Sequence, residues 1–341
     1  MAERVLTVRE LNRALLVRQL LLERKAVPLP RAVEQMGCIQ AQYAPSGYVG
    51  LWTRIAGFER DALTRALQRR SLVQATLMRN TIHVVSHGDY WPLVLAIRSE
   101  RMAWSRSVQR TDERGVRRAA EQLRRFLADG PKAQKEIADA GLWIPGVGIW
   151  LDLVRVPPSG TWERRRADLY GLAEEWVGPE PDLPELDARM HLVRRYLGAF
   201  GPATRKDIAK WAGVRVGMLA DALDGLELRR FHGEDERELL DLPRAPMPPG
   251  DTPAPVRFLP TWDATLLVHA RGTGILAEEH RRRIFHVRNP QSERTFLVDG
   301  KVAGGWRYDD GRVTLEPFSR LPRGAHGELE EEAERLAAFH A

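Results

Sequence analysis

The stretch Arg125-Phe126-Leu127-Ala128-Asp129-Gly130-Pro131-Lys132-Ala133-Gln134-Lys135-Glu136-Ile137-Ala138 decides the fold, because it recurs at an offset of 71 residues. The second copy reads Tyr196-Leu197-Gly198-Ala199-Phe200-Gly201-Pro202-Ala203-Thr204-Arg205-Lys206-Asp207-Ile208-Ala209. Gly-Pro, a lysine, an acid and Ile-Ala align between them. An amphipathic segment precedes each copy, Val116 to Leu127 and Leu186 to Leu197, and reads as a helix. Glycine can end such a helix, and proline suits the first position of the next, where a missing N–H costs nothing. Beyond each copy the pattern gives another helix and then a hairpin. The first hairpin is expected at about Trp150–Val156 and Thr161–Tyr170, around Pro157-Pro158-Ser159-Gly160. The second is expected at about Glu227–Phe231 and Glu236–Asp241, around Gly233-Glu234-Asp235. Three helices followed by a hairpin is the winged-helix order, in which the third helix enters the major groove and the wing touches backbone or minor groove. Short helical repeats also pack against proteins, and that alternative stays open at this point.

Working outward, the first hundred residues repeat the plan loosely. Thr7-Val8-Arg9-Glu10 is a capping box, with Leu11, Leu15, Leu16 and Leu20 forming one apolar face behind it. Helices are expected at about Pro30–Met36, Tyr48–Ile55 and Glu59–Arg69, and strands at Leu72–Met78 and Thr81–Ser86 around Arg79-Asn80. Six prolines between Leu242 and Arg257 make a linker that is neither helix nor central strand. After it, Arg294–Val298, Lys301–Tyr308 and Arg312–Glu316 read as strands joined at Asp299-Gly300 and Asp310-Gly311, and Gly327–His340 as a closing helix. The expected class is α+β: tandem winged-helix domains over residues 1–112, 113–180 and 181–243, with a small C-terminal β-rich cap over 257–341.

Bulk properties bound the function. Of 341 residues, 43% are hydrophobic and 29% charged, as in an ordinary soluble protein. Lys and Arg exceed Asp and Glu by 52 to 46, for a net charge of +6, which suits a polyanionic partner. One cysteine, Cys38, excludes an intramolecular disulfide or a four-cysteine metal site and reads as a small buried apolar residue. Met1 to Arg4 show no leader pattern, and no apolar run reaches the roughly 18 residues of a membrane helix. A cytoplasmic monomer without membrane contact is expected.

Between the second and third helices of the first unit lies Cys38-Ile39-Gln40-Ala41-Gln42-Tyr43-Ala44-Pro45. Gly37 and Pro45 favour an extended course, in which Gln40 and Gln42 point the same way. Amides do not titrate, so they cannot serve as general bases. They can orient a water through a carbonyl oxygen and act as fixed dipoles. An N7-alkylated purine is already cationic and leaves with little acid assistance, so positioning water against an oxocarbenium-like sugar could suffice. The same two residues could equally cap a helix or line a polar loop.

At this motif the sequence resembles the AlkZ-like and YcaQ-like winged-helix DNA glycosylases, over essentially its whole length. The marker is glutamine, a small or apolar residue, then glutamine or aspartate. Gln40-Ala41-Gln42 has the AlkZ-like form, although Ala41 is smaller than the usual central residue. Leu77-Met78-Arg79-Asn80-Thr81-Ile82-His83, Phe258-Leu259-Pro260-Thr261-Trp262-Asp263 and the run from Val298 to Arg307 also match. The resemblance implies a C-shaped protein with a basic channel for double-stranded DNA containing alkylated purines. It implies hydrolysis of the N-glycosidic bond of N7-alkylated purines, and in some members unhooking of interstrand crosslinks and self-protection of antibiotic producers. Carried over by position, Gln40 and Gln42 are the catalytic pair. No cofactor or metal is implied.

Other residues carry weaker expectations. Arg79, Thr81 and His83 sit on the first hairpin and are placed at the DNA. His83 and His87 are four apart, but a strand does not bring such a pair onto a metal. Arg164, Arg165 and Arg166 lie on the second wing and suit phosphates, with strand alternation setting Arg165 opposite the other two. Asp263, Trp306 and Arg307 match family stretches and either act at the site or hold the cap. The run Glu328-Leu329-Glu330-Glu331-Glu332 reads as a solvated helix face. Phosphate-binding loops, nucleophile elbows and zinc-protease motifs are not evident. Nor is there an evident lysine nucleophile, so base removal without strand cleavage is expected. The alternative from another class is a non-enzymatic winged-helix regulator, which would bind one preferred duplex sequence and release no base.

Overall fold

A computed structural model describes residues 4–107, 112–143, 146–286 and 292–341. The amino-terminal tripeptide read for a leader lies outside the described residues. Among the described residues no helix is long and apolar enough to cross a membrane. The expected capping box forms: Thr7 Oγ1 accepts from the Glu10 N–H at 3.2 Å and the Glu10 carboxylate accepts from the Thr7 N–H at 2.9 Å. They start helix α1 (Val8–Arg18). Helices α2 (Leu29–Gln35), α3 (Ala44–Trp52) and α4 (Arg60–Gln68) follow.

The described residues form an α+β fold with three sheets. The largest runs in the order β2 (Ile39–Gln40), β4 (Ile82–Ser86), β3 (Leu72–Thr76), β6 (Leu153–Arg155), β7 (Leu169–Leu172) and β5 (Lys132–Ala133). Pairing of Gln74 with Arg155 and Ala75 with Val154 joins the first hairpin to the second, so two wings share one continuous sheet. A second sheet adds β1 (Val5–Leu6), parallel, to the third hairpin, β8 (Arg229–Gly233) and β9 (Glu238–Asp241). The cap is the antiparallel sheet β10 (Arg257–Leu259), β11 (Thr295–Val298), β12 (Lys301–Asp309) and β13 (Arg312–Pro317).

The repeat has a different local structure from that read off its prolines. Pro131 and Pro202 do not open helices. The residues after them pair with the wings: β5 joins β7, and Ala203 bridges to Leu240. The helices Gln134–Asp139 and Arg205–Ala212 begin three residues beyond those prolines. There the carboxylates of Glu136 and Asp207 reach back to the N–H groups of Ala133 and Thr204, at 2.7 and 3.3 Å.

The second wing also differs. Its return strand was expected from Thr161 but starts at Leu169, and residues 157–168 are loop. Ser159 explains this. Its hydroxyl oxygen accepts from the N–H groups of Asp168 and Leu169, at 2.6 and 3.0 Å, and donates to the Arg166 carbonyl at 2.9 Å. Such side-chain bonds replace a strand ladder. Strand alternation therefore does not govern Arg164, Arg165 and Arg166. Gly160 sits in this loop at φ +73°, where a Cβ would fall 2.1 Å from Gln74 Oε1.

One long element was not legible. Helix α5 (His87–Ser107) has Pro92 inside it, and its apolar residues do not collect on one face.

The proline-rich stretch is clamped rather than free. Arg9 and Arg13 of α1 donate to the carbonyls of Gly250 and Thr252, each at 2.6 Å. Arg18 grips Asp241 with two bonds of 2.7 and 2.9 Å, both side chains fully buried, and reaches the Pro246 carbonyl. Beyond that clamp the cap packs on α3, through Trp52, Phe258, Phe296, Trp306 and Leu329. The cap thereby becomes a wall facing the loop that carries the glutamine pair.

Candidate active site

Strand pairing sets the two glutamines. Gln40 is the last residue of β2 and pairs with His83; the ladder continues one step further, from the Ala41 N–H to the Ile82 carbonyl at 2.8 Å. Gln42 then lies just past the ladder. Gln40 Oε1 accepts from Arg79 Nη2 at 2.6 Å, and Gln42 Oε1 accepts from the Ile82 N–H at 3.0 Å. A guanidinium and a backbone N–H only donate, so the carbonyl ends of both amides must face the β3–β4 hairpin. Both amide NH₂ groups are then free of hydrogen bonds within the described residues. Both carbonyl ends are thus anchored on one hairpin, but Gln40 is 7% exposed and Gln42 is open to solvent.

The hairpin tip is shaped for this task. Arg79 and Asn80 have φ of 53° and 54°, and the Thr81 N–H donates to the Met78 carbonyl at 3.1 Å, which defines a type I′ turn. Arginine is an unusual choice there, since a Cβ disfavours the left-handed region. Its guanidinium is turned inward, donating to Gln40 and to the Trp211 carbonyl of the helix Arg205–Ala212. Burial lowers its pKa. Arg79 thus ties the Gln40 carbonyl end to the helix Arg205–Ala212.

The opposite wall comes from the cap. A cleft of ≈ 500 Å³ is bounded by Gln42 and Tyr43 on one side and by Trp262, Arg294 and Arg307 on the other. A second, of ≈ 190 Å³, shares Tyr43 and Arg294 and continues to Trp162 and Arg165. A small pocket of ≈ 20 Å³ reaches inward to Gln40, Ser46 and Trp262. Thr261 borders all three. Trp262 has φ +62°, a strained state for a bulky residue and one that clusters at functional sites. Ser46 is 3% exposed, and its hydroxyl has no partner among the described residues. Motif reading missed Ser46, Trp262 and Arg294 as site residues. Only the stretch Phe258–Asp263 signalled one of them.

The remaining expectations fall as follows. His83 is wholly buried; its Nδ1 meets the Thr81 carbonyl at 2.9 Å and its Nε2 has no partner among the described residues. Burial, reinforced by the charge of Arg79, pushes its pKa down to about 3, so the ring is neutral and offers no surface to a duplex. His87 is exposed and held by a different carbonyl, that of Arg70. Thr81 is half-buried and donates to the Met78 carbonyl. Arg164, Arg165 and Arg166 are all exposed on the wing loop. Arg164 and Arg166 flank Asp168, while Arg165 donates to the Tyr43 hydroxyl at 3.1 Å, beside Gln42.

Asp263 is structural: both oxygens accept from Arg54 Nη2, at 3.0 and 2.9 Å, in a buried pair. The Trp306 indole N–H donates to the Leu259 carbonyl at 2.9 Å while its ring lines the cleft. The acidic run is not wholly solvated, since Glu332 is buried and paired with Arg24. Cys38 is buried, and burial pushes its thiol up to about 12.

Comparison with known proteins gives the family and the fold. A family profile described as DNA glycosylase AlkZ-like matches residues 33–339. The interstrand DNA cross-link repair glycosylase of Streptomyces sahachiroi is 26% identical over 172 residues, which are 47% of this chain and 43% of that relative. The chain thus matches less than half the length of this curated relative. The solved structure of the Streptomyces sahachiroi DNA glycosylase AlkZ superposes with a TM-score of 0.81, at 21% identity, over 99% of this chain and 98% of that one. At that identity the likeness establishes the fold.

Proposed function

The chain belongs to the AlkZ-like DNA glycosylase family, and from that premise we propose that it hydrolyses the N-glycosidic bond of N7-alkylated purines in double-stranded DNA. The observation that carries this reading is the anchoring of both glutamine carbonyls on one hairpin, at the edge of a cleft whose far wall supplies Trp262, Arg294 and Arg307.

In this proposal the C1′–N9 bond breaks with its electron pair passing to the cationic base, which leaves neutral. The sugar becomes oxocarbenium-like, water adds to C1′, and its spare proton goes to solvent. Gln42 accepts one bond from Ile82 and keeps a second lone pair for a water proton. The inner pocket of ≈ 20 Å³ is sized for one water, which needs a volume of about 10–15 Å³ and polar neighbours. Ser46 Oγ and the Gln40 amide supply them. Arg79 fixes Gln40, so no reorganisation is needed as charge develops. Trp262 offers a face for the base, and Arg294 and Arg307 suit phosphates. The cations of the cleft are guanidiniums, which form no Schiff base, so the strand stays intact after base release.

We extend the lesion range to interstrand crosslinks, because the cleft is open to solvent and the curated relative is named for crosslink repair. The wing arginines Arg164, Arg165 and Arg166 contact phosphates beside the lesion. The test is a lesion panel: duplexes with N7-methylguanine, a bulkier N7 adduct and a defined crosslink, incubated with purified protein. Free modified base and an alkali-labile, uncut strand are expected. Binding to all three duplexes with no base released would overturn the enzyme reading.

A further inference from the structure

On the other side of the same hairpin lies a cleft that the proposed reaction does not use. It has a volume of ≈ 260 Å³, near the lower end of small-molecule sites at about 300 Å³. Its floor is the hairpin, at Thr76 and Asn80; its walls are α5, the helix Val147–Trp150 and the β6–β7 pair. Two kinds of side chain dominate it.

The first is guanidinium that makes no direct ion pair among the described residues. Arg155 is 8% exposed and bonds only neutral acceptors: the Ala167 carbonyl, Thr76 Oγ1 and the Tyr170 hydroxyl. Arg101 bonds Asn80 Oδ1 at 3.1 Å and the Gly148 carbonyl at 3.4 Å. Neither makes an ion pair among the described residues. Asp152, the carboxylate lining the cleft, is gripped by Arg98 at 2.9 Å. Burial lowers the pKa of both Arg101 and Arg155, the signature of desolvated charge. Asp152 attracts Arg101 without bonding it, and two desolvated guanidiniums with no direct carboxylate partner are costly unless an anion visits them.

The second is aromatic surface. Trp104 is 39% exposed on α5, an unusual place for indole. Trp143 packs on Tyr170 with ring centroids 4.8 Å apart, and both line the cleft with Trp104. Flat aromatic faces beside a guanidinium with no direct ion pair match a base and its phosphate. We propose that this cleft binds one nucleotide, its base against Trp104 and Trp143 and its phosphate on Arg101.

A nucleotide could reach the site free or as part of a DNA strand, and both present the same chemistry. Arg101 holds Asn80, the neighbour of Arg79 in the turn, and Arg79 holds Gln40. The site itself does not depend on the glutamine assignment.

The test is calorimetric titration of the full-length protein with 2′-deoxyguanosine 5′-monophosphate, and separately with 2′-deoxyguanosine. The monophosphate should bind more tightly than the nucleoside. Its affinity should fall at least about tenfold in Arg101→Gln, the loss expected for a hydrogen bond to a charged group. It should also fall in Trp104→Ala, whose exposed position spares the fold. Gln40→Ala should bind the monophosphate as wild type does, which separates this site from the catalytic reading. Duplex binding then identifies the source. If a strand nucleotide occupies the cleft, the monophosphate competes with duplex, and Arg101→Gln lowers the salt slope by about one phosphate contact. If a free nucleotide occupies it, duplex affinity is unaffected. A wild-type protein that binds no monophosphate, with duplex affinity and salt slope unchanged in Arg101→Gln and Trp104→Ala, overturns the proposal.

Discussion

Replacing Arg79 separates two quantities that its geometry ties together. The side chain makes charge-assisted bonds to Gln40 Oε1, at 2.6 Å, and to the Trp211 carbonyl. Each such bond contributes about 1.5–3 kcal/mol, and an acceptor left buried costs more. The backbone at φ 53° works the other way, costing any residue with a Cβ roughly 1 kcal/mol or more. Arg79→Ala should therefore destabilise the fold by roughly 2–4 kcal/mol. Arg79→Gly should recover about 1 kcal/mol of that, because glycine accepts the left-handed region. Urea denaturation of both variants measures the difference. Excision should not follow stability. Both variants lose the group that orients Gln40, so single-turnover base release should fall about tenfold to a hundredfold in each, equivalent to about 1.4–2.7 kcal/mol. Arg79→Lys keeps the charge but cannot fork to two acceptors, and should lie between. Duplex affinity, measured alongside, should hold. Wild-type excision rates in both the Ala and Gly variants would refute the positioning role.

Further expectations follow from the buried polar groups and the wing. Asp263→Ala strands the Arg54 guanidinium in the interior and should cost about 3–5 kcal/mol in denaturant, as other broken buried pairs do; a loss near zero would contradict the assignment. Stability should fall on acidification below pH 6.5, because the unfolded His83 and His269 rings take up protons there while the buried rings resist, His83 down to about 3. The slope is roughly 1.4 kcal/mol per pH unit for each ring, and His269→Phe, which sacrifices no hydrogen bond, should flatten the urea-midpoint profile; an unchanged profile would argue against it. Neutralising Arg164, Arg165 and Arg166 together should weaken duplex binding and reduce the salt slope by about 0.9 per lost phosphate contact, read by anisotropy at several salt concentrations.

What the sequence made legible was periodic or stereochemically forced. The Thr7–Glu10 capping box, the Arg79-Asn80 turn and the hairpins at Asp299-Gly300 and Asp310-Gly311 all rest on local rules, and all form. Misreadings arose where a distant partner overrode the local preference. Gly-Pro suggested helix starts, but Ala203 and Lys132 are claimed by wing strands. The triple-arginine wing suggested a strand, but Ser159 ties the loop to itself. At the site, two-residue spacing placed Gln40 and Gln42 together, whereas their unequal exposure depends on where the β2–β4 ladder ends. Ser46, Trp262 and Arg294 were hidden for a plainer reason. Trp262 and Arg294 reach the glutamine loop only because the cap, some two hundred residues away, packs on α3, and Ser46, on α3 itself, joins the site through the pocket the cap closes; spacing does not reveal such contacts.

Most directly diagnostic is single-turnover release of N7-methylguanine from duplex DNA by Gln40→Ala and Gln42→Ala, with duplex affinity determined on the same preparations. Each substitution should slow release on the order of a hundredfold, as loss of one preorganised polar group does elsewhere, with affinity unchanged. Release at the wild-type rate by both would place the chemistry somewhere other than this loop.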